Sequence, residues 1–137
     1  MRQIFVDTSA WVALFYKRDA RHNAAILLNQ RLLSESCHYV TTNFVFDETV
    51  TFLGLTVSRA AAIDFGNRLL ASNLATLIRI TDELESNAWH IYQQYKDKQF
   101  SYTDCTSFAL MRSLEIFEAF THDHHFGQFG FRVLLRD

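Results

Sequence analysis

Residues 101–126 constrain the fold most strongly, because they attach two acids to the ends of apolar elements. Asp104 lies at the start of a predicted helix that runs on through Phe108 and Leu114, and Asp123 follows a predicted buried strand. Burial of an isolated carboxylate costs several kcal/mol, so such acids are paired, protonated or bound to a metal. The two acids therefore raise the question of which other acids meet them.

The chain has 137 residues, enough for one domain with a sizeable core, and we expect residues 1–137 to form that single domain. A net charge of −2 gives no overall field that attracts nucleic acid or membrane, so an RNA site would need a local basic patch. Cys37 and Cys105 form no disulfide framework or zinc motif, which favours a reducing cytoplasm. The apolar residues 4–16 include Asp7 and are too few to span a membrane.

Short β-branched or aromatic runs alternate with stretches of helical periodicity. The predicted strands are residues 4–6, 39–42, 76–80, 118–121 and 131–135. The predicted helices cover residues 10–15, 20–33, 44–55 and 59–72, and two more begin near Asp82 and Asp104. Expected N-caps include Ser9 and Asn43, and the expected buried stripe of the second helix is Ala24, Leu27, Leu28 and Leu32. This alternation predicts an α/β sandwich around a mostly parallel sheet, with residues 131–135 at its edge.

That architecture gives the acids a common location. In open α/β sheets, ligands bind beyond the carboxyl ends of the strands, where Asp7 and Asp123 are expected. Asp104 begins a helix at the same rim, and Glu48 lies about one turn into the helix after the second strand. Four crowded carboxylates raise one another's pKa values, and a hard divalent cation such as Mg²⁺ or Mn²⁺ holds them ionised. Such a site suits hydrolysis of a phosphodiester.

Each acid also has a purely structural interpretation. Asp7 would begin a turn, and Asp104 would complete a capping box with Ser101. Glu48 would be a solvated helix acid, and its neighbour Asp47 competes for the functional role. The apolar positions of that helix place the buried face nearer to Glu48, which we therefore prefer.

The motifs around these acids occur in an order that resembles the PIN-domain ribonucleases of the VapC toxin type. The matching segments are Val6-Asp7-Thr8-Ser9, Phe46-Asp47-Glu48, Ser101-Tyr102-Thr103-Asp104 and Thr121-His122-Asp123-His124-His125-Phe126. The resemblance implies a three-layer α/β/α sandwich and Mg²⁺- or Mn²⁺-dependent endonucleolytic cleavage of RNA. It assigns catalysis and metal binding to Asp7, Glu48, Asp104 and Asp123. Ser9 replaces a frequent Asn and Cys105 a common Ala, and neither change removes a ligand.

Other polar residues flank the acids. Thr8, Ser9, Thr103 and Thr121 are expected to orient the carboxylates by hydrogen bonding. The three histidines around Asp123 would form a zinc site, cap a turn, or contact phosphate; they are His122, His124 and His125.

A basic track for RNA is predicted just after the first helix. It consists of Lys17, Arg18 and Arg21, with Arg112 as a further candidate; a solvated helix junction is the alternative. Apolar residues outside the buried stripes, Ile26, Leu33 and Val45, predict a surface groove. The resemblance implies that a small antitoxin lies in this groove, that one of its basic side chains reaches the acids, and that the chain forms a homodimer.

Two other functions fit parts of the sequence. Residues 4–8 resemble the nucleophile motif of haloacid dehalogenase-type phosphatases, although that chemistry requires a second acid where this chain has Ser9. A non-catalytic PIN-like scaffold that binds RNA or protein is the other alternative, and the intact acids argue against it.

Overall fold

A computed structural model describes residues 1–136 of the chain as a five-stranded sheet flanked by seven helices. In chain order the elements are β1 (Gln3–Val6), α1 (Thr8–Phe15), α2 (His22–Ser34), β2 (His38–Thr42), α3 (Asn43–Thr56), α4 (Arg59–Ala71), β3 (Ala75–Ile78), α5 (Asp82–Gln94), α6 (Tyr102–Leu114), β4 (Glu118–Phe120), α7 (His124–Phe129) and β5 (Arg132–Val133).

The sheet has the order β3-β2-β1-β4-β5, and every neighbouring pair of these strands is parallel. Phe5 of β1 lies beside Val40 of β2 and Ala119 of β4, and all three are fully buried. Helices cover both faces, as the continuous apolar strands require. The expected three-layer α/β/α sandwich is therefore confirmed, and so is an edge strand near the C-terminus. From β1 the chain first adds β2 and β3 on one side of this strand, and later adds β4 and β5 on its other side. Open α/β sheets bind ligands where the strand order changes direction in this way.

Aromatic rings fill much of the core. The ring of Phe108 stacks on that of Phe129 at 4.5 Å and meets Phe126 edge-on at 5.0 Å. In a second group, the ring of Trp11 packs against that of Phe65 at 5.7 Å. Edge-on and offset contacts of this kind are favourable beyond the area they bury. Within residues 1–136, no helix has the length and apolar character needed to cross a membrane.

The buried stripe of α2 differs from the expected one. Ala25, Leu28 and Leu32 are buried, whereas Ala24 is exposed and Leu27 is 67% exposed. Apolar residues occupy several consecutive positions here, so periodicity does not determine which side of the helix packs against the sheet.

Two expected helix caps were wrong for the same reason, namely that their side chains bond elsewhere. The N-cap of α1 is Asp7, and the Ser9 hydroxyl pairs with Thr121 instead. The N-cap of α3 is Thr42, because the Asn43 side chain accepts a hydrogen bond from the Ile80 backbone N–H. Both corrections depend on partners from distant parts of the chain.

Candidate active site

The site is built on the junction of β1 and β4. The Asp7 backbone N–H donates to the Phe120 carbonyl at 3.2 Å, which extends the pairing of the two strands by one step. The Thr121 hydroxyl donates to Oδ2 of Asp7 at 3.1 Å, and the backbone N–H of Asp123 donates to the same hydroxyl oxygen at 3.0 Å. Parallel pairing therefore fixes Asp7 and Asp123 on one side of the sheet through Thr121.

Asp104 reaches this place from the first turn of α6. Its backbone N–H donates to Oγ of Ser101 at 3.0 Å, and the Ser101 backbone N–H donates to Oδ2 of Asp104 at 3.1 Å. This is the capping box expected from the sequence. The residue is only 8% exposed, so its carboxylate serves the helix and lines the site as well.

Three helices begin at the three aspartates. Asp7 is the N-cap of α1, Asp104 lies in the first turn of α6, and Asp123 is the N-cap of α7, where its Oδ1 accepts from the His125 backbone N–H at 2.9 Å. Helix N-termini carry partial positive charge. They therefore offset part of the repulsion between the carboxylates.

Glu48 completes the group from α3. It lines a cavity of about 440 Å³ together with the three aspartates. The remaining lining residues are Thr8, Ser9, Val12, Asp19, Phe52, Gln99, Ser101, His122 and His125. The structure thus brings together all four acids singled out from the sequence, and Glu48 rather than Asp47 faces this cavity.

The electrostatics of the site favour a bound cation. Burial and, after it, the charges of Asp104, Glu48 and Asp123 together raise the pKa of Asp7 from 3.8 to about 7, against a backbone hydrogen bond from Thr8 that lowers it. Burial likewise raises the pKa of Asp104, as does Asp123, while the bonds with Ser101 and the nearby His125 lower it. Such carboxylates ionise fully at neutral pH when a positive charge joins them.

The hydroxyl groups form a short chain that holds Asp7. Ser9 Oγ lies 2.9 Å from Thr121 Oγ1 and accepts from the His122 backbone N–H at 3.3 Å. Since Thr121 gives its one hydrogen to Asp7, Ser9 is the donor in their bond. Thr8 accepts from the Thr49 hydroxyl at 3.3 Å, which ties α1 to α3. The Thr103 carbonyl accepts from the Thr106 hydroxyl at 2.6 Å.

The histidines take different positions. Nδ1 of His125 lies 3.2 Å from Oδ1 of Asp123 and 3.4 Å from Oδ2 of Asp104. His122 lines the acid cavity, and His124 is exposed but joins Asp123 and His125 in a group whose ligand atoms lie within 4.8 Å of one another. The sequence left three alternative roles open for His125. Its ring lies between Asp104 and Asp123 because α7 begins directly before it, and the sequence did not indicate that helix.

The predicted basic residues separate into two places. Lys17 and Arg18 are exposed just after α1, beside Asp19, which lines the acid cavity. Arg112 lies in the last turn of α6, with its guanidinium 4.8 Å from the centre of the Phe129 ring. Asp104 lies at the other end of that helix, so the structure does not bring Arg112 to the acids.

Comparison with known proteins identifies the family. Residues 4–132 match the PIN domain, so the chain belongs to the PIN-domain family. It is 37% identical over 132 residues to the 23S rRNA-specific endonuclease VapC20 of Mycobacterium tuberculosis, covering 93% of this chain and 95% of that protein. The crystal structure of the same VapC20, described as a Sarcin-Ricin loop cleaving toxin, superposes with a TM-score of 0.87 at 34% identity over 97% of this chain and 99% of that chain.

A more distant structure shows the same fold. The Rickettsia felis VapBC2 complex bound to a promoter DNA fragment matches with a TM-score of 0.67 at 13% identity over 96% of each chain. PIN domains are nucleases that act on phosphodiester bonds, so the expected enzyme class is confirmed. The same family assignment replaces the phosphatase alternative.

Proposed function

We propose that this chain is a divalent-metal-dependent endoribonuclease and the toxin of a toxin–antitoxin pair, acting in the cytoplasm as a single domain. The observation that carries the proposal is the convergence of Asp7, Glu48, Asp104 and Asp123 on one cavity. The length and identity of the match to VapC20 support the same class of reaction.

The donor set fits a hard divalent cation, with Mg²⁺ or Mn²⁺ as the proposed ion. Carboxylate oxygens are the ligands that these ions prefer, and Asp7 is only 5% exposed, so its charge requires a nearby positive partner. When bound, such an ion lowers the pKa of a water and stabilises negative charge on a phosphate. A zinc site is disfavoured, because the group of Asp123, His124 and His125 contains no cysteine and the other acids that line the cavity offer only carboxylate oxygens.

The protein's own residues hold this donor set in place before substrate arrives. The Ser9–Thr121 hydroxyl chain fixes the orientation of Asp7, and Ser101 fixes that of Asp104. The His125 imidazole lies between Asp104 and Asp123 and lowers the pKa of the Asp104 carboxyl. Fixed carboxylates cost little reorganisation during the reaction, which is a main source of catalytic power.

Ribosomal RNA is the proposed substrate class. The relative VapC20 is named for its specificity toward 23S rRNA and described as cleaving the Sarcin-Ricin loop. Lys17, Arg18 and Arg21 are proposed to bind the phosphate backbone beside the cavity, because they lie next to Asp19 at its edge.

The proposed antitoxin surface lies on the other side of α1. Trp11, Ile26 and Leu33 line an apolar cavity of about 430 Å³, whereas Val45, expected there as well, is fully buried in the core. Val12 on the same helix lines the acid cavity, so a bound segment needs only to cross α1 for a basic side chain to reach the acids. Homodimer formation is part of the same proposal.

The decisive experiment measures cleavage of purified large-subunit ribosomal RNA with Mg²⁺, with Mn²⁺ and with a chelator. Asp104→Asn should abolish cleavage, since the amide keeps the Ser101 hydrogen bonds but loses the charge. Asp64→Asn, an exposed acid on α4, is the matched control and should retain full activity. Cleavage that persists in Asp104→Asn or in chelator would contradict the proposal, and no cleavage by the wild type with either metal would favour a non-catalytic scaffold.

Light scattering tests the partners. The purified chain should form a dimer, and the product of the neighbouring gene should form a stable complex with it. A monomer that does not associate with that product would contradict the toxin assignment and leave the nuclease assignment intact.

A further inference from the structure

Two exposed aromatic rings on α5, Trp89 and Tyr92, form a cluster with the partly buried Tyr102 of α6. Trp89 and Tyr92 lie one turn apart on α5, with ring centres 5.9 Å apart and planes at 12°, and each meets Tyr102 edge-on at 6.4 Å. Trp89 is 52% exposed and Tyr92 is 47% exposed, while Ala88 and Ile91 provide the buried side of the helix. We call Trp89, Tyr92 and Tyr102 the aromatic shelf.

The shelf begins beside the acids. Tyr102 opens α6 directly after Ser101 and two residues before Asp104. Its ring also meets that of Phe44 edge-on at 6.2 Å, and Phe44 lies one turn before Glu48 on α3. Two of the helices that carry acids therefore also hold the near end of the shelf.

A continuous surface path leads from the acid cavity to the far end of the shelf. Gln99 lines the acid cavity and also a neighbouring depression formed with Tyr92, Lys96 and Lys98. Tyr92 and Lys96 in turn line the depression that contains Trp89. An RNA strand that enters the acid cavity can therefore continue along the surface past these rings.

The charges along α5 favour an anionic RNA strand near the C-terminal end of the helix and disfavour it near Tyr102, whose hydroxyl lies 3.4 Å from Oε1 of Glu85. The acids of α5 are in its first turn, at Asp82, Glu83 and Glu85, whereas Lys96 and Lys98 follow its C-terminal end. Lys98 is paired with Asp97 at 3.1 Å, and Lys96 is exposed. A polyanion is therefore repelled from the first turn of α5 and attracted toward the loop that leads to the acid cavity.

We propose that the aromatic shelf stacks unpaired bases of the RNA next to the cleaved phosphate, while Lys96 and Lys98 face its backbone. The inference rests on the proposed ribonuclease function and adds the surface that holds the bases beside the cleaved phosphate. Aromatic side chains stack on any base, and the bases of a duplex are already stacked on each other. The shelf therefore selects loops and single strands over duplex RNA.

The test compares two RNA probes in chelator, so that nothing is cleaved: a short unstructured oligoribonucleotide and a blunt duplex of the same length. Trp89→Leu/Tyr92→Leu removes both rings and keeps apolar side chains. It should weaken single-strand binding about tenfold and leave duplex binding within about twofold. Phe117→Leu, which removes an exposed ring before β4 at the opposite end of the sheet, should bind both probes like the wild type.

Tryptophan fluorescence gives an independent readout. Trp11 is buried, so quenching by the single-stranded probe should report Trp89 and should disappear in the double variant. Wild-type affinity for the single strand in the double variant would overturn the proposal. Conversion of a dimer to a monomer by the double variant would overturn it too, because the shelf would then be a protein interface.

These outcomes are separable from failure of the ribonuclease assignment. If the wild type fails to cleave RNA with Mg²⁺ or Mn²⁺, the assignment fails whatever the shelf variants bind. If the wild type cleaves and the double variant binds and cleaves single strands normally, only the shelf is wrong.

Discussion

Carboxylates lie at both ends of the β1–β4 pair, but their surroundings shift the pKa values in opposite directions. At the amino end, Arg2 donates from Nε and Nη2 to the two oxygens of Glu118 at 2.8 and 3.0 Å, and from Nη1 to Glu35 at 2.7 Å. These bonds with Arg2 lower the pKa of Glu118. At the carboxyl end, the pKa values of Asp7 and Asp104 are raised by burial and by other acids.

The difference shows how to separate a structural acid from a functional one. Both sets lie beside the same two strands, so strand propensity does not distinguish them. At the amino end each charge has an arginine partner within the chain, and the acids stabilise the fold. At the carboxyl end the neighbours are acids and helix N-termini, so we expect a ligand of positive charge to complete the site.

Removal of one charge at each end should give the largest contrast. Asp7→Asn should lower metal-dependent RNA cleavage by at least about 100-fold, because it removes a buried ligand of the proposed cation. Glu118→Gln should keep activity within about twofold, since it lies at the other end of the sheet. Initial cleavage rates at matched protein and metal concentrations measure the activity of both variants. Equal losses of activity would contradict the distinction between the two ends of the strands.

The pH dependence of stability should differ in sign between the two ends. The folded pKa of Asp7 is about 7 against an ordinary 3.8, so the folded metal-free protein binds a proton more tightly than the unfolded chain. Its stabilising contribution is present at low pH and is lost as pH rises from about 4 to about 7. The expected loss is a few kcal/mol.

Thermal melts in chelator across this pH range measure the effect. Asp7→Asn should remove most of the decline, and the variant should be more stable than the wild type at pH 7. Added Mg²⁺ or Mn²⁺ should raise the melting temperature of the wild type above pH 7. A flat wild-type profile would mean that Asp7 is already neutralised within the fold.

Glu118→Gln should have a smaller effect, of less than about 1 kcal/mol on the free energy of unfolding, because Arg2 and Glu118 are partly exposed to solvent. The lowered pKa of Glu118 means that its contribution is present above its ordinary pKa of 4.5 and is lost as pH falls. Urea unfolding at pH 7 and at pH 3.5 tests this, with a smaller difference between wild type and variant expected at the lower pH.

Charge reversal of Lys17, Arg18 and Arg21 should change RNA binding and leave the catalytic step itself little affected. The slope of log affinity against log salt should fall by about 0.7 for each phosphate that the variant no longer neutralises. Arg112→Glu is the comparison, since Arg112 lies at the other end of α6 from Asp104. An unchanged slope in the triple variant would exclude this basic track.

Sequence patterns predicted much of the fold because the strands and most helices are marked locally. The run of Ile4, Phe5 and Val6 ended at an acid, and Ser101 and Asp104 had the spacing of a capping box; the structure has both features. The expected buried stripe of α2 was right at Leu28 and Leu32 and wrong at Ala24 and Leu27, because apolar residues lie on more than one side of this helix. α7 was missed, because six residues after Asp123 carry too little periodicity to mark a helix.

The sequence by itself determined which residue types end the strands and begin the helices, and so identified the acids of the site. Apart from the local capping box at Asp104, only the tertiary structure decided how those acids are held. The Ser9–Thr121–Asp7 chain joins residues more than 110 positions apart, and His125 meets Asp104 across two helices. Such contacts depend on parallel pairing of β1 with β4, and no local pattern encodes them because each partner is specified in a different part of the chain.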